Sequence, residues 1–186
     1  MSTPAPDAFD LPTRRELPLL IAFVDLTRFA AQSLRVSDEA LADTVDALYQ
    51  RVAARVAAAG GRVVKFIGDA TLAVFPPSAV DAGVAALLDL KQEVDEWMAT
   101  LGWECRMMIK VHFGSAIAGP FGAAAGGRFD IIGKAVNTTA MLDSTGVALS
   151  AEAFRKLGPA LRKRFKKHTP TITYIRTEDP HRFRRK

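Results

Sequence analysis

Two carboxylates in this chain stand where carboxylates can hold a metal ion. Asp25 closes the apolar run LPLLIAFVDL (17–26), inside the segment FVDLTRF. Such a run reads as a central strand buried on both faces. Asp69 lies between two β-like runs, RVVKFIG (62–68) and DATLAVFP (69–76), which meet at Gly68-Asp69. That is a hairpin signal with Asp69 near the tip. A strand end and the tip of a neighbouring hairpin can bring their carboxylates together. Two such oxygens suit Mg2+ or Mn2+, with waters and substrate phosphates completing the octahedron. A lone strand-end aspartate is more often a turn former. The pair is stronger than either alone, because strands 17–26 and 62–75 are expected to be sheet neighbours.

The elements around this pair follow from pattern. Residues 1–16, rich in Pro, Asp and Arg, read as a flexible lead-in. Ser37 is a plausible N-cap for SDEALADTVDALYQRVAARVAAAGG, although Ala40 stands where a capping box would place Glu. Apolar residues at 41, 45, 48, 49, 52 and 56 trace one helical face, and Gly60-Gly61 end it. Residues 78–101 form a second amphipathic helix. ECRMMIKVHFGSAIAGPFG (104–122) reads as a strand, a glycine turn and another strand. AAAGGR (123–128) reads as a flexible loop, FDIIG (129–133) as a strand, and KAVNTTAMLDST (134–145) as a helix stopped by Gly146. VALS (147–150) is a short strand. Ser150 caps one helix through AEAFRKLGPALRKRF, and TPTITYIRT (169–177) is the last strand. No internal repeat is visible. Interspersed strands, helices and hairpins predict an α+β domain over 17–177 with a mixed or mostly antiparallel sheet, followed by a basic tail, 178–186.

Composition removes whole classes of function. At 186 residues, one domain with a sizeable core is expected. With 49% hydrophobic and 24% charged residues the chain is not a disordered one. Cys105 is the only cysteine, so no disulfide scaffold is possible. The first residues do not read as a signal peptide, and no apolar run approaches a membrane span. A soluble, cytoplasmic protein without membrane insertion is expected. Residues 155–186 hold 12 Lys and Arg against Glu178 and Asp179, while the rest of the chain is net acidic. Such a block can meet nucleic acid, an anionic membrane or a phosphate-bearing ligand, or be a solvated face.

FVDLTRF, VVKFIGDATLAVF, VHFGSAIAGPFG and FDIIGKAVNTTAMLDSTG, in this order, resemble the class III nucleotide cyclase catalytic domain. The resemblance covers about residues 19–175, and the 44 residues from Asp25 to Asp69 match the family spacing. It implies a central sheet flanked by helices, ferredoxin-like, in a head-to-tail homodimer whose active sites are each built from both subunits. It implies that Asp25 and Asp69 bind two metal ions, with the Leu26 carbonyl as a further ligand. Thr27, Arg28 and Phe29 match the turn whose amides hold the triphosphate, in keeping with anion binding at helix starts. Asn137 matches the asparagine that orients the ribose. Lys65 and Asp130 match the base-reading pair, a combination that usually goes with adenine. The implied reaction is in-line attack of the ribose 3′-oxygen on the α-phosphorus, with pyrophosphate leaving.

The departures from the family pattern concern positive charge. The transition-state arginine, four residues after the asparagine, is Met141 here. A second frequent arginine is Met108. Lys110 lies two residues on, so it shares a strand face with Met108, and Arg106 is expected there too. Lys110 is the candidate for the missing catalytic charge. Lys166 and Lys167 stand about where the family keeps a phosphate-binding lysine, although the usual glycine after it is absent; Lys167 is taken as the candidate. Arg28 replaces a frequent glycine, and Ala30 a frequent threonine. His112 reads as structural, Tyr49 as core, and Cys105 with Met107 and Met108 as strand packing.

The favoured reading at this level is a cyclase acting on UTP or CTP, because short members with eroded motifs resemble the pyrimidine cyclases of bacterial anti-phage defence. The product would then be read by a separate effector protein. The alternative is an adenylate cyclase. A pseudo-cyclase that binds nucleotide without catalysis is motivated by Met108 and Met141. Nucleic-acid binding through 155–186 is the least favoured.

Overall fold

The computed structural model describes residues 8–122, 127–169 and 172–179. Its frame is one twisted sheet. In chain order the strands are β1 (Arg15–Leu26), β2 (Arg62–Ile67), β3 (Ala70–Phe75), β4 (Met107–Phe121), β5 (Arg128–Ile132), β6 (Val147–Ser150), β7 (Phe165–His168) and β8 (Thr173–Arg176). The helices are α1 (Phe29–Ser33), α2 (Asp38–Ala58), α3 (Val80–Thr100), α4 (Lys134–Met141), α5 (Ala151–Lys156) and α6 (Pro159–Arg162). The strand order is β2-β3-β1-β4-β6-β8-β7, with β5 paired to β4. Only β4–β6 is parallel, so the α+β, mostly antiparallel expectation holds.

Side-chain alternation on β1 divides the core in two. Leu20, Ala22, Val24 and Leu26 face α2 and α3, in a cluster with Leu48, Val52, Val84 and Leu88. Leu19 and Ile21 face the other way, onto Leu72, Val74, Ala118 and Ile131. Asp25 belongs to this second set. Opposite it across the β1–β4 ladder stands Met108, and opposite Phe23 stands Lys110. Met108, Lys110 and Asp25 therefore share the sheet face that α2 and α3 do not cover.

Several expectations need correction. The described part of the lead-in is not loose: Phe9 is 3% exposed, packs edge-on against Phe129 and completes the second core cluster. One aromatic in a polar segment found an apolar slot, and β1 then starts at Arg15. Residues 104–122 contain no glycine turn. β4 is one strand of 15 residues that runs straight through Gly114. A Cβ at Gly114 would lie 2.8 Å from His112 Nε2 and 2.9 Å from the Ala135 Cβ, so this glycine gives α4 room to pack on the strand. The helix expected over 151–165 is two, α5 and α6, because Leu157 is extended and Pro159 starts a new turn. β7 was not anticipated. Asp179 accepts a hydrogen bond from the Val147 amide, so the tail begins beyond it. The loop at 123–126 and the basic residues at 182–186 lie outside the described residues.

Candidate active site

Asp25 and Asp69 do converge. The amide of Leu26 donates to Asp25 Oδ1 at 2.9 Å and to Asp69 Oδ2 at 3.2 Å. Burial pushes the Asp69 carboxyl up to about 6, helped by its hydrogen bond to Asp25 and by the charge of that neighbour. Two carboxylates this close relieve their repulsion either by sharing a proton or by holding a cation between them. Among the described residues no group of three or more His, Cys, Asp or Glu could hold a metal. An oxygen-only donor set of this size fits a hard ion that keeps several waters, as Mg2+ and Mn2+ do, and not the closed nitrogen and sulfur shell of Zn2+.

The chain leaves Leu26 into a turn that is strapped to the start of β4. The Thr27 amide donates to the Arg106 carbonyl at 2.9 Å, and the Arg106 amide donates to Thr27 Oγ1 at 3.0 Å. The Phe29 ring packs near Trp103 and anchors α1. Arg28 caps α1 with φ 58° and ψ 13°, and it is the one non-glycine residue with positive φ among the described residues. That conformation costs about 1 kcal/mol or more for a residue with a Cβ. Its guanidinium meets Glu104 at 2.5 Å.

Below the strap, α3 grips the same strand end. Buried Lys91 donates to the Met107 carbonyl at 2.8 Å, and Asp95 Oδ1 accepts the Met107 amide at 2.7 Å. Met107 is the ladder partner of Leu26, so this clamp fixes the height of the carboxylate pair.

A small cavity beside Asp25 is lined by Phe23, Ala70, Met108, Lys110 and Ala140. Lys110 Nζ donates to the Ala140 carbonyl at 2.8 Å, in the last turn of α4. The same helix presents Asn137 to solvent and, one turn on, Met141 at 83% exposure. A second depression contains the ion pair of Lys65 and Asp130 at 2.6 Å, beside Val64, Phe121, Arg128 and Phe129. The Tyr49 ring stacks on Phe66, and its hydroxyl donates to the Gly68 carbonyl at 2.5 Å, next to Asp69.

A family model described as the adenylate and guanylate cyclase catalytic domain matches residues 13–179. The chain belongs to this cyclase family. It is 32% identical over 126 residues to a protein of Streptomyces coelicolor named adenylate cyclase, covering 68% of this chain and 29% of that one. The chain thus spans less than a third of the length of this curated relative. The fold matches a bacterial light-regulated adenylyl cyclase (TM-score 0.79, 20% identity, 89% of this chain and 53% of that one). It also matches the adenylyl cyclase CyaB from P. aeruginosa (0.77, 18%, 90% and 97%) and the guanylyl cyclase Cya2 (0.73, 20%, 87% and 91%).

Within one copy of this cyclase domain, Asp25, Leu26, Asp69, Thr27, Arg28, Phe29 and Lys110 gather at one end of β1 and β4. Lys65 and Asp130 pair with each other on β2 and β5. Asn137 faces outward on α4. Lys167 is exposed on β7, four strands from β1, or roughly 19 Å away by strand spacing. Lys166 donates to the Thr177 carbonyl. Three expectations are corrected. Arg106 does not join the Met108 face, because it precedes β4 and donates to the Cys105 and Trp103 carbonyls. The Thr27 amide is not open to an anion, since the strap uses it. Tyr49 is only half-buried and braces the hairpin tip. His112 is structural, as expected: burial lowers its pKa, and Nδ1 lies 2.9 Å from Ser150 Oγ, the cap of α5.

The sequence reading missed the clamp of Lys91 and Asp95, the Tyr49 brace and Glu104. Lys91 and Asp95 are an i,i+4 pair, which the sequence shows, but nothing in their spacing says that they point inward.

Proposed function

We propose that this domain converts a nucleoside triphosphate to its 3′,5′-cyclic monophosphate and pyrophosphate, in a head-to-tail homodimer with shared active sites. The observation that carries this reading is the convergence of Asp25 and Asp69 on the Leu26 amide. With the Leu26 carbonyl they would hold two Mg2+ or Mn2+ ions. When bound, such ions lower the pKa of the 3′-hydroxyl and neutralise phosphate charge. The chain's own residues position the substrate. Asn137 of the other copy orients the ribose, so that the 3′-oxygen lies in line with the bond to the leaving pyrophosphate. One phosphorus–oxygen bond forms as the other breaks. Lys110 and Arg28, with Lys167 of the other copy, meet the charge on the phosphates, where Met108 and Met141 cannot.

Lys65 donates to the base and Asp130 accepts from it. UTP or CTP remains the favoured substrate, because the departures at Met108 and Met141 resemble the eroded motifs of pyrimidine cyclases and a lysine donor can also serve a uracil carbonyl. A cyclic pyrimidine messenger for an effector in anti-phage signalling is the corresponding role. ATP is the second reading, supported by the name of the curated relative and by the match of the pair to N1 and the amino group of adenine. The test is incubation with Mn2+ and each of ATP, GTP, CTP and UTP, with products resolved by mass. A cyclic product supports the enzyme reading, and its base names the substrate. No product from a folded dimer overturns it in favour of a nucleotide-binding pseudo-cyclase.

A further inference from the structure

We propose that Glu104 is a built-in stand-in for phosphate: it holds the Arg28 guanidinium over the triphosphate turn and hands it to the substrate on binding. This rests on the cyclase reading above. Arg28 lies three residues after Asp25, at the entry of the turn that would hold the triphosphate. Its backbone is left-handed, where glycine is the favoured residue, so its side chain is retained against strain. The contact that would repay this is poor. The Arg28 and Glu104 side chains are 68% and 66% exposed, and an exposed pair contributes little to stability. The two backbones are nevertheless held together here. The backbones on either side are strapped by the two Thr27–Arg106 hydrogen bonds, so Glu104 is held across from Arg28.

A planar guanidinium matches a phosphate as well as a carboxylate. A triphosphate anchored beside Asp25 and Asp69 carries more charge than Glu104 and competes for the same donors. The arrangement thus supplies an arginine from the turn itself, in a chain with methionine at both family arginine positions, 108 and 141. Glu104 acts only through Arg28 and is a positioning residue.

Equilibrium binding of the four 3′-deoxynucleoside triphosphates with Mn2+ tests this without turnover, because they lack the attacking hydroxyl. The tightest of them is the probe. Arg28→Gly is expected to weaken its binding about 10-fold or more, with a melting temperature no lower than that of the parent protein. Glu104→Gln is expected to tighten it about 2- to 5-fold. In the Arg28→Gly background, Glu104→Gln is expected to change nothing. An equal tightening in both backgrounds would mean a general field effect and would overturn the proposal. So would unchanged affinity in Arg28→Gly. If the parent protein binds none of the four, the cyclase reading fails and this inference with it.

Discussion

At the scale of single residues, Asp69 states its own linkage to pH. Its carboxyl is raised to about 6 in the folded protein, against 3.8 for a free group. The folded state therefore binds more protons than the unfolded chain across that interval. Stability from this group is present below pH 4 and is lost as pH rises to 6. Asp69 is only half-buried, so the effect is about 1 kcal/mol after allowance for solvent screening. In chelator, the melting temperature of the parent protein should fall between pH 4.5 and 7 relative to Asp69→Asn. Mn2+ at pH 7 should raise the parent and leave the variant where it was. A parallel pH course for the two proteins would break the assignment of Asp69 as the group under repulsion. The aspartates themselves were legible in the sequence because strand ends and hairpin tips announce themselves. Glu104 and Tyr49 were not, because their partners lie 76 and 19 residues away and no local pattern connects them.

At the scale of elements, β4 decides how the site is framed. It carries Met108 and Lys110 at one end, pairs with β5 at the other, and supports α4 in between. Gly114 is a point where α4 leaves no room for a side chain on the strand. Gly114→Ala would force Ala135 outward or twist His112, an overpacking that costs about 1–3 kcal/mol. It should also move Asn137 with the helix, so turnover should fall by about 10-fold or more while the substrate's Michaelis constant changes less. Circular dichroism melts and steady-state kinetics on the one variant check both. A stable variant with parental turnover would show that the seating of α4 on β4 does not govern the proposed role of Asn137. The sequence pattern gave a turn at this glycine, since a glycine between two apolar runs is usually punctuation. Here it is a clearance, which only the neighbour across the sheet reveals. The split between α5 and α6 was readable in Leu157-Gly158-Pro159, where a proline one residue past a glycine breaks one helix and starts the next.

At the scale of the molecule, the proposed site draws on two copies of the domain. The carboxylate pair opens on the sheet face left free by α2 and α3, while Asn137, Met141 and Ile132 point outward from the α4 side. A second copy in head-to-tail arrangement would join them. Mixing Asp69→Ala protein with Asn137→Ala protein after co-refolding should then restore activity that neither has alone. Random pairing makes half the dimers mixed, each with one intact site of two, so about a quarter of the parental rate is expected. No recovery in a verified mixed dimer would mean that each site takes both residues from one copy. The overall architecture was legible because the apolar run of β1 and the helical periods of α2 and α3 are clean. A pairing across copies would leave no trace in such patterns, since interface residues need only be exposed in the monomer.

The strap over β4 also has an experimental use. Cys105 is the chain's only thiol, it is fully buried, and it lies between Glu104 and Arg106 next to the turn that begins at Thr27. Burial raises its pKa, and the charge of Asp69 adds to that, so the thiolate is scarce while the fold is closed. An alkylating reagent can then reach it only when the strap lets go. The rate of alkylation becomes a clock for local opening, read at one atom and without any introduced label.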